Sequence, residues 1–111
     1  MMNNRETTLE FVRAFCAGDV AALALLLAED LRFSGPFYQF SSAEEYLKVL
    51  RDGQVEPSGY KLISVTEGDD SVSVYYDYEK SDGTITIAQL CIFREGRISE
   101  ILVVFDGRGF A

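Results

Sequence analysis

Apolar residues recur at helical spacing in the first half of the chain and alternate as in strands in the second. Between Glu6 and Cys16, the side chains of Leu9, Val12, Phe15 and Cys16 share one face, with Phe11 on its flank, which predicts a helix. Gly18 ends it, because glycine takes the left-handed conformation without steric cost. Asp19 then stands where a cap accepts from backbone N–H groups two or three residues on. Val20 to Ala28 is apolar almost all round and predicts a second, enclosed helix. Leu31 to Phe33 reads as a short extended stretch, broken by Ser34-Gly35-Pro36 and resumed over Phe37 to Phe40. Ser41 and Ser42 each have a glutamate three residues later, Glu44 and Glu45, a doubled capping-box signal that starts a third helix. Ala43, Tyr46, Leu47 and Leu50 form its inward stripe, Asp52-Gly53 ends it, and Pro57-Ser58-Gly59 is loop.

Four strands follow, about Tyr60 to Glu67, Ser71 to Lys80, Thr84 to Arg94 and Arg97 to Phe105. Gly68-Asp69-Asp70, Asp82-Gly83 and Glu95-Gly96 join them as hairpin turns. Three helices and then an antiparallel meander make an α+β layout. A two-residue turn at Asp82-Gly83 sets Tyr78 opposite Ile87, Tyr76 opposite Gln89 and Val74 opposite Cys91; a three-residue turn at Arg94-Glu95-Gly96 sets Gln89 opposite Ile101. One face then carries Val72, Val74, Tyr76, Tyr78, Ile85, Ile87, Gln89, Cys91, Phe93, Ser99, Ile101, Val103 and Phe105. The other carries Ala88, Leu90, Ile92, Ile98, Leu102 and Val104, with Tyr75, Asp77, Glu79 and Glu100. One layer of helices covers only one of two apolar faces, so a homodimer through the outer sheet face is expected, the alternative being cover by the N-terminal segment or the C-terminal tail.

Composition narrows the partners. The 111 residues are 48% hydrophobic and 25% charged, which suits a single domain over residues 1–111 with its own core. The net charge of −8 lacks the basic footprint that nucleic acid or an anionic membrane requires. With no histidine, Ser-His-Asp and Cys-His catalysis and histidine metal sites are excluded. Cys16 and Cys91, without CxxC spacing, read as reduced core thiols. The N-terminus has no apolar core of a signal peptide, and the apolar run from Val20 to Ala28 falls far short of the ~20 residues that cross a bilayer, so a cytoplasmic protein is expected. Glu67-Gly68-Asp69-Asp70 reads as a solvated hairpin tip rather than a cation site; neither a metal nor a cofactor is implied.

The layout resembles the NTF2-like superfamily, in its branch of SnoaL-like polyketide cyclases and ketosteroid isomerases. The resemblance rests on Phe15-Cys16-Ala17-Gly18-Asp19, on Ala28-Glu29-Asp30-Leu31-Arg32-Phe33 leading to Gly35-Pro36, and on Phe93-Arg94-Glu95-Gly96-Arg97-Ile98 before a strand closing with Phe105-Asp106. It implies a cystatin-like cone, with three N-terminal helices packed on a curved antiparallel sheet, and a pocket used for catalysis, ligand binding or protein contacts. Ketosteroid isomerases place a general-base Asp directly before the proline, where this chain has Gly35; a Tyr on the first helix, where it has Phe11; and a protonated Asp on the third long strand, near Gln89. Glycine accepts no proton and phenylalanine donates no hydrogen bond, so that mechanism is disfavoured. The cyclases' acid/base Asp falls near Val103, and no inward Asp-Arg-Asp trio of the epoxide-hydrolase kind is found.

The expected inner wall holds Phe11, Phe15, Phe33, Tyr38, Tyr46, Tyr76, Tyr78, Gln89, Cys91 and Ser99, an aromatic surface with a few polar tips. It suits a small apolar or aromatic ligand held by one or two hydrogen bonds. Three alternatives stand beside it: a packed core in which Tyr76 and Gln89 satisfy each other, an isomerase- or cyclase-type enzyme using a non-standard acid such as a tyrosine, and a dimeric interaction module. Asp106 is placed either at the pocket mouth or as a local backbone cap.

Overall fold

A computed structural model describes residues 2–53 and 56–110. The elements in chain order are α1 (Asn4–Ala17), α2 (Val20–Ala24), β1 (Leu27–Ser34), β2 (Gln39–Phe40), α3 (Ala43–Gly53), β3 (Gly59–Glu67), β4 (Ser71–Lys80), β5 (Gly83–Arg94), β6 (Arg97–Val104) and a closing 3-10 turn (Gly107–Phe110).

The helix boundaries follow from local hydrogen bonding. Asn3 caps α1, accepting from the Glu6 amide while the Glu6 carboxylate accepts from the Asn3 amide, so two orphan donors are satisfied reciprocally. Gly18 closes the helix at φ 72°, and its N–H reaches the Phe15 carbonyl at 3.1 Å. Asp19 caps α2 as expected, accepting from the Ala22 amide. At α3, Ser42 Oγ accepts from the Glu45 amide and Glu45 accepts from the Ser41 amide.

The second helix is shorter than its sequence suggests. It stops at Ala24, and Leu27 and Ala28 belong to an eight-residue strand. Leu27 pairs in parallel with Ile98, and the Ile98 amide donates to the Leu26 carbonyl at 2.9 Å. A strand buried on both faces is as uniformly apolar as an enclosed helix, and periodicity does not separate the two.

The sheet departs from the expected cone with three N-terminal helices on a curved antiparallel sheet. It is an open six-stranded sheet in the order β2-β1-β6-β5-β4-β3, with free edges at β2 and β3, neither closed nor strongly curled. It is also mixed, because β1 and β6 run parallel. The helices are not an N-terminal block either, since α3 enters between β2 and β3. The architecture is α+β with helices interleaved among the strands.

Two turns differ by register while the inner and outer faces largely persist. Lys80 pairs with Gly83, so Ser81-Asp82 forms the loop and Tyr76 lies opposite Ile87, with Gln89 opposite Val74. The offset from expectation is two residues, which preserves the side-chain face. Between β5 and β6 the turn is Glu95-Gly96, both at positive φ, and a bulge follows: Phe93 pairs with Ile98, Ile92 with Glu100 and Gln89 with Val103. Ser99 is the extra residue, its hydroxyl donating to the Ile92 carbonyl at 3.1 Å. The bulge turns Ile98 inward, where it is fully buried, and takes Ser99 off the inner wall.

The buried residues form two clusters. One joins α1, α2, α3 and β1 to the sheet through Phe11, Leu23, Leu31, Tyr46, Ile98 and Ile101; the other holds Val12, Cys16, Val74, Tyr76, Ile85 and Ile87. Replacing Ile98 by Ala is expected to destabilise the fold by about 2–5 kcal/mol, because the site is closely packed. Replacing Ser99 by Ala removes one hydrogen bond and is expected to cost about 1 kcal/mol. Urea unfolding of the two variants checks the bulge, and the reverse ranking would restore the unbulged register.

Candidate functional site

Between α1, α3 and the inner face of the sheet lies a cavity of about 550 Å³. Its lining draws on both clusters: Phe11, Phe33, Phe40, Tyr46 and Leu50 from one side, Tyr76, Tyr78, Ile87 and Phe105 from the other, with Phe15 and Val103 touching both. The loop Gly35-Pro36-Phe37-Tyr38 forms its rim, where Phe37 and Tyr38 are more than half exposed. The Gly35 amide donates to the Tyr38 carbonyl and closes this loop.

Aromatic contacts order the walls. Tyr46 stacks on Phe33 with ring centroids 4.9 Å apart and lies 6.4 Å from Phe11. Phe15 leans on Tyr78 at 6.0 Å, and Phe37 meets Phe105 edge-on at 5.6 Å. Rings held this way carry large apolar area with little rotamer freedom to lose.

No charged side chain lines the cavity among the described residues; its polar groups are the tyrosines and Gln89. Tyr46 is 4% exposed and Tyr76 is 1% exposed, yet neither hydroxyl has a hydrogen-bond partner among the described residues. Gln89 donates from Nε2 to Cys91 Sγ at 3.4 Å, which leaves its carbonyl oxygen unpaired there. Ser58 Oγ is the only fully enclosed side-chain polar atom without a partner among the described residues, so these three oxygens open onto the cavity. Hydroxyls that open onto a cavity with no protein partner are available to hydrogen-bond whatever occupies it. Burial, reinforced by Cys91, holds the Tyr46 phenol protonated well above its ordinary range, and burial does the same for Tyr76. Both are therefore donors at neutral pH.

Eight of the expected wall residues do line this cavity: Phe11, Phe15, Phe33, Tyr38, Tyr46, Tyr76, Tyr78 and Gln89. Ser99 does not, because of the bulge, and Cys91 lies on the inner face beneath Gln89 without reaching the cavity. Tyr76 and Gln89 do not satisfy each other, since the register sets them against Ile87 and Val74. Residues not singled out beforehand include Phe37, Phe40, Val49, Leu50, Ile87, Val103 and Phe105. Strand parity already placed Ile87, Val103 and Phe105 inward, and Tyr46, Val49 and Leu50 follow the i, i+3, i+4 spacing of one helix face.

The carboxylates lie elsewhere. Asp106 accepts from the Arg108 amide and pairs with its guanidinium, a local cap. Asp30 pairs with Arg94, which holds its carboxyl below the usual range, and Asp77 accepts from the Thr86 hydroxyl. Among the described residues, no three His, Cys, Asp or Glu side chains are grouped to hold a metal ion. None of their helices is long and apolar enough to cross a membrane.

Helices interleaved with a mixed sheet over an aromatic cavity define the NTF2-like class. The chain belongs to the SnoaL-like domain family, whose pattern it matches over residues 8–101. No curated protein matches it significantly. An NTF2-like protein of unknown function from Cytophaga hutchinsonii is similar at 24% identity and a TM-score of 0.81, over 99% of this chain and 96% of that one. An NTF2-like protein of unknown function from Burkholderia pseudomallei shares 19% identity at a TM-score of 0.81, over 99% and 95%. An LEH-like epoxide hydrolase from M. tuberculosis shares 15% identity at a TM-score of 0.77, over 95% and 84%. Within the family frame, the positions compared with ketosteroid-isomerase and cyclase acids and donors, Gly35, Phe11, Gln89 and Val103, all border the cavity and carry no carboxylate or phenol.

Burial pushes the Cys16 thiol up to about 11. Burial likewise pushes Cys91 up to about 11, against the opposing pull of Gln89 and Thr8. The folded chain thus keeps protons that the unfolded chain releases above pH 9, and stability falls as pH rises from about 9 to 11. Urea midpoints are expected to be level between about pH 7 and 8.5 and to decline above pH 9. In the same samples, a disulfide reagent at about pH 8 is expected to modify both thiols only after unfolding. Rapid modification of the folded chain would contradict the burial.

Proposed function

We propose that this SnoaL-like domain binds a small apolar or aromatic molecule in the cavity between its helices and sheet. The observation that carries the reading is an uncharged aromatic chamber of about 550 Å³ into which nine-tenths-buried phenols present unpaired hydroxyls. A packed core would bring those hydroxyls to partners or exclude them. The volume lies in the range of small-molecule sites, and the lining matches their usual make-up of apolar walls with few polar groups. An isomerase or cyclase reaction at this site would lack a carboxylate, and phenols held protonated far above neutrality are poor bases.

Titration with 1-aminoanthracene, uncharged at pH 7 and fluorescent in apolar surroundings, tests the reading. Saturable binding at one probe per chain is expected. Val103→Trp, which fills the chamber from β6, is expected to weaken it at least about tenfold while thermal unfolding shows a folded chain. Binding that Val103→Trp leaves unchanged, or no binding at all, would refute it.

The outer sheet face supports a second proposal, a homodimer packed face to face. Cross-strand rows place Tyr75, Ala88 and Val104 side by side, and Ser73, Leu90 and Leu102 beside them. Tyr75, Leu102 and Val104 are 49%, 43% and 57% exposed. A second copy related by a two-fold axis would cover such an apolar face with the same face of its own. Light scattering at micromolar concentration is expected to give the mass of two chains, and Leu102→Glu with Val104→Glu that of one. A single-chain mass for the unmodified protein would refute it.

A further inference from the structure

Tyr46 on α3 and Tyr76 on β4 come from opposite sides of the cavity and from different core clusters. Each is more than nine-tenths buried, and each hydroxyl opens onto the cavity without a partner among the described residues. Both phenols line the same cavity of about 550 Å³. Such a pair is two donors, neither of which any described residue receives.

We propose that Tyr46 and Tyr76 jointly hold one acceptor oxygen of an uncharged planar ligand, and that this pair, rather than the apolar walls, determines which molecules the cavity selects. The proposal rests on the binding reading above and adds the atom that is recognised. The walls favour any flat apolar molecule by burial alone, without regard to its polar atoms. The phenols distinguish among such molecules, because an oxygen at their hydroxyls satisfies two donors that a hydrocarbon leaves bare. An anion is disfavoured: no cation lines the cavity among the described residues, and the chain itself carries a net charge of −8. The unpaired carbonyl oxygen of Gln89 adds an acceptor, so a hydroxyl on the same ligand would find a second partner.

Three probes of one shape test this: fluorenone, fluorene and fluorene-9-carboxylate. Tyr46→Phe and Tyr76→Phe are each expected to weaken fluorenone binding about fivefold, the worth of one neutral hydrogen bond, and to leave fluorene unchanged. The carboxylate is expected to bind at least about tenfold more weakly than fluorenone. The infrared carbonyl stretch of bound fluorenone should lie below its value in a hydrocarbon solvent and move back up in the double variant. Equal responses of fluorenone and fluorene, or a stretch at the hydrocarbon value, would overturn the phenol assignment and leave the binding reading intact. Failure of both fluorenone and fluorene to bind would overturn the binding reading, and this assignment with it. Should a variant fail to fold, the infrared frequency with the unmodified protein decides alone.

Discussion

The interior is built in two parts that do not merge. Phe11, Leu31, Tyr46 and Ile98 anchor one buried cluster, and Val12, Val74, Tyr76 and Ile87 the other. Phe15, Val65 and Val103 are the side chains that pack on both. Protein interiors ordinarily close to crystal-like density, so a gap between clusters persists only where rigid groups prevent collapse. Here those groups are rings. Phe33, Tyr46 and Phe40 brace one another within 6 Å, and Phe15 and Tyr78 brace the opposite wall. Phe11 lies 6.4 Å from both Phe15 and Tyr46, so ring contacts join the two walls along α1 and leave the space beside them open.

Strand parity is the part of the site most legible in the sequence. Period-two alternation through β4 and β5 assigned Tyr76, Tyr78, Ile87 and Gln89 to one face, and an error of two residues in register left that assignment intact. Local capping was equally readable at Asp19, Ser42 and Glu45, because it depends on neighbours within four positions. The bulge was not readable. Ser99 looks like an ordinary inward position until the Glu95-Gly96 turn is fixed, and its displacement is decided by pairing across to Ile92 and Phe93. The strand at Leu27-Ala28 was hidden for a similar reason, since its partner, Ile98, lies seventy-one positions away.

Family membership and chemistry separate here. The fold brings Gly35, Phe11, Gln89 and Val103, the positions where the family resemblance implies acids and donors, to the cavity. The side chains at those places make the chamber neutral. Its remaining polar character comes from Gln89 and from tyrosines that the family comparison did not single out, Tyr46 and Tyr76 among them.

The far edge of the sheet has a different consequence. Strand β3 is nine residues long and, among the described residues, has no strand paired to its outer side, which would ordinarily offer a template for another chain to add to the sheet. Its ladder to β4 slips at Ile63, between Leu62 and Ser64, and such an irregularity increases local twist. A strand approaching from outside would follow the first few residues and then lose alignment. The edge is thereby guarded against runaway stacking by a defect in its own regularity, with Lys61 adding a charge beside it.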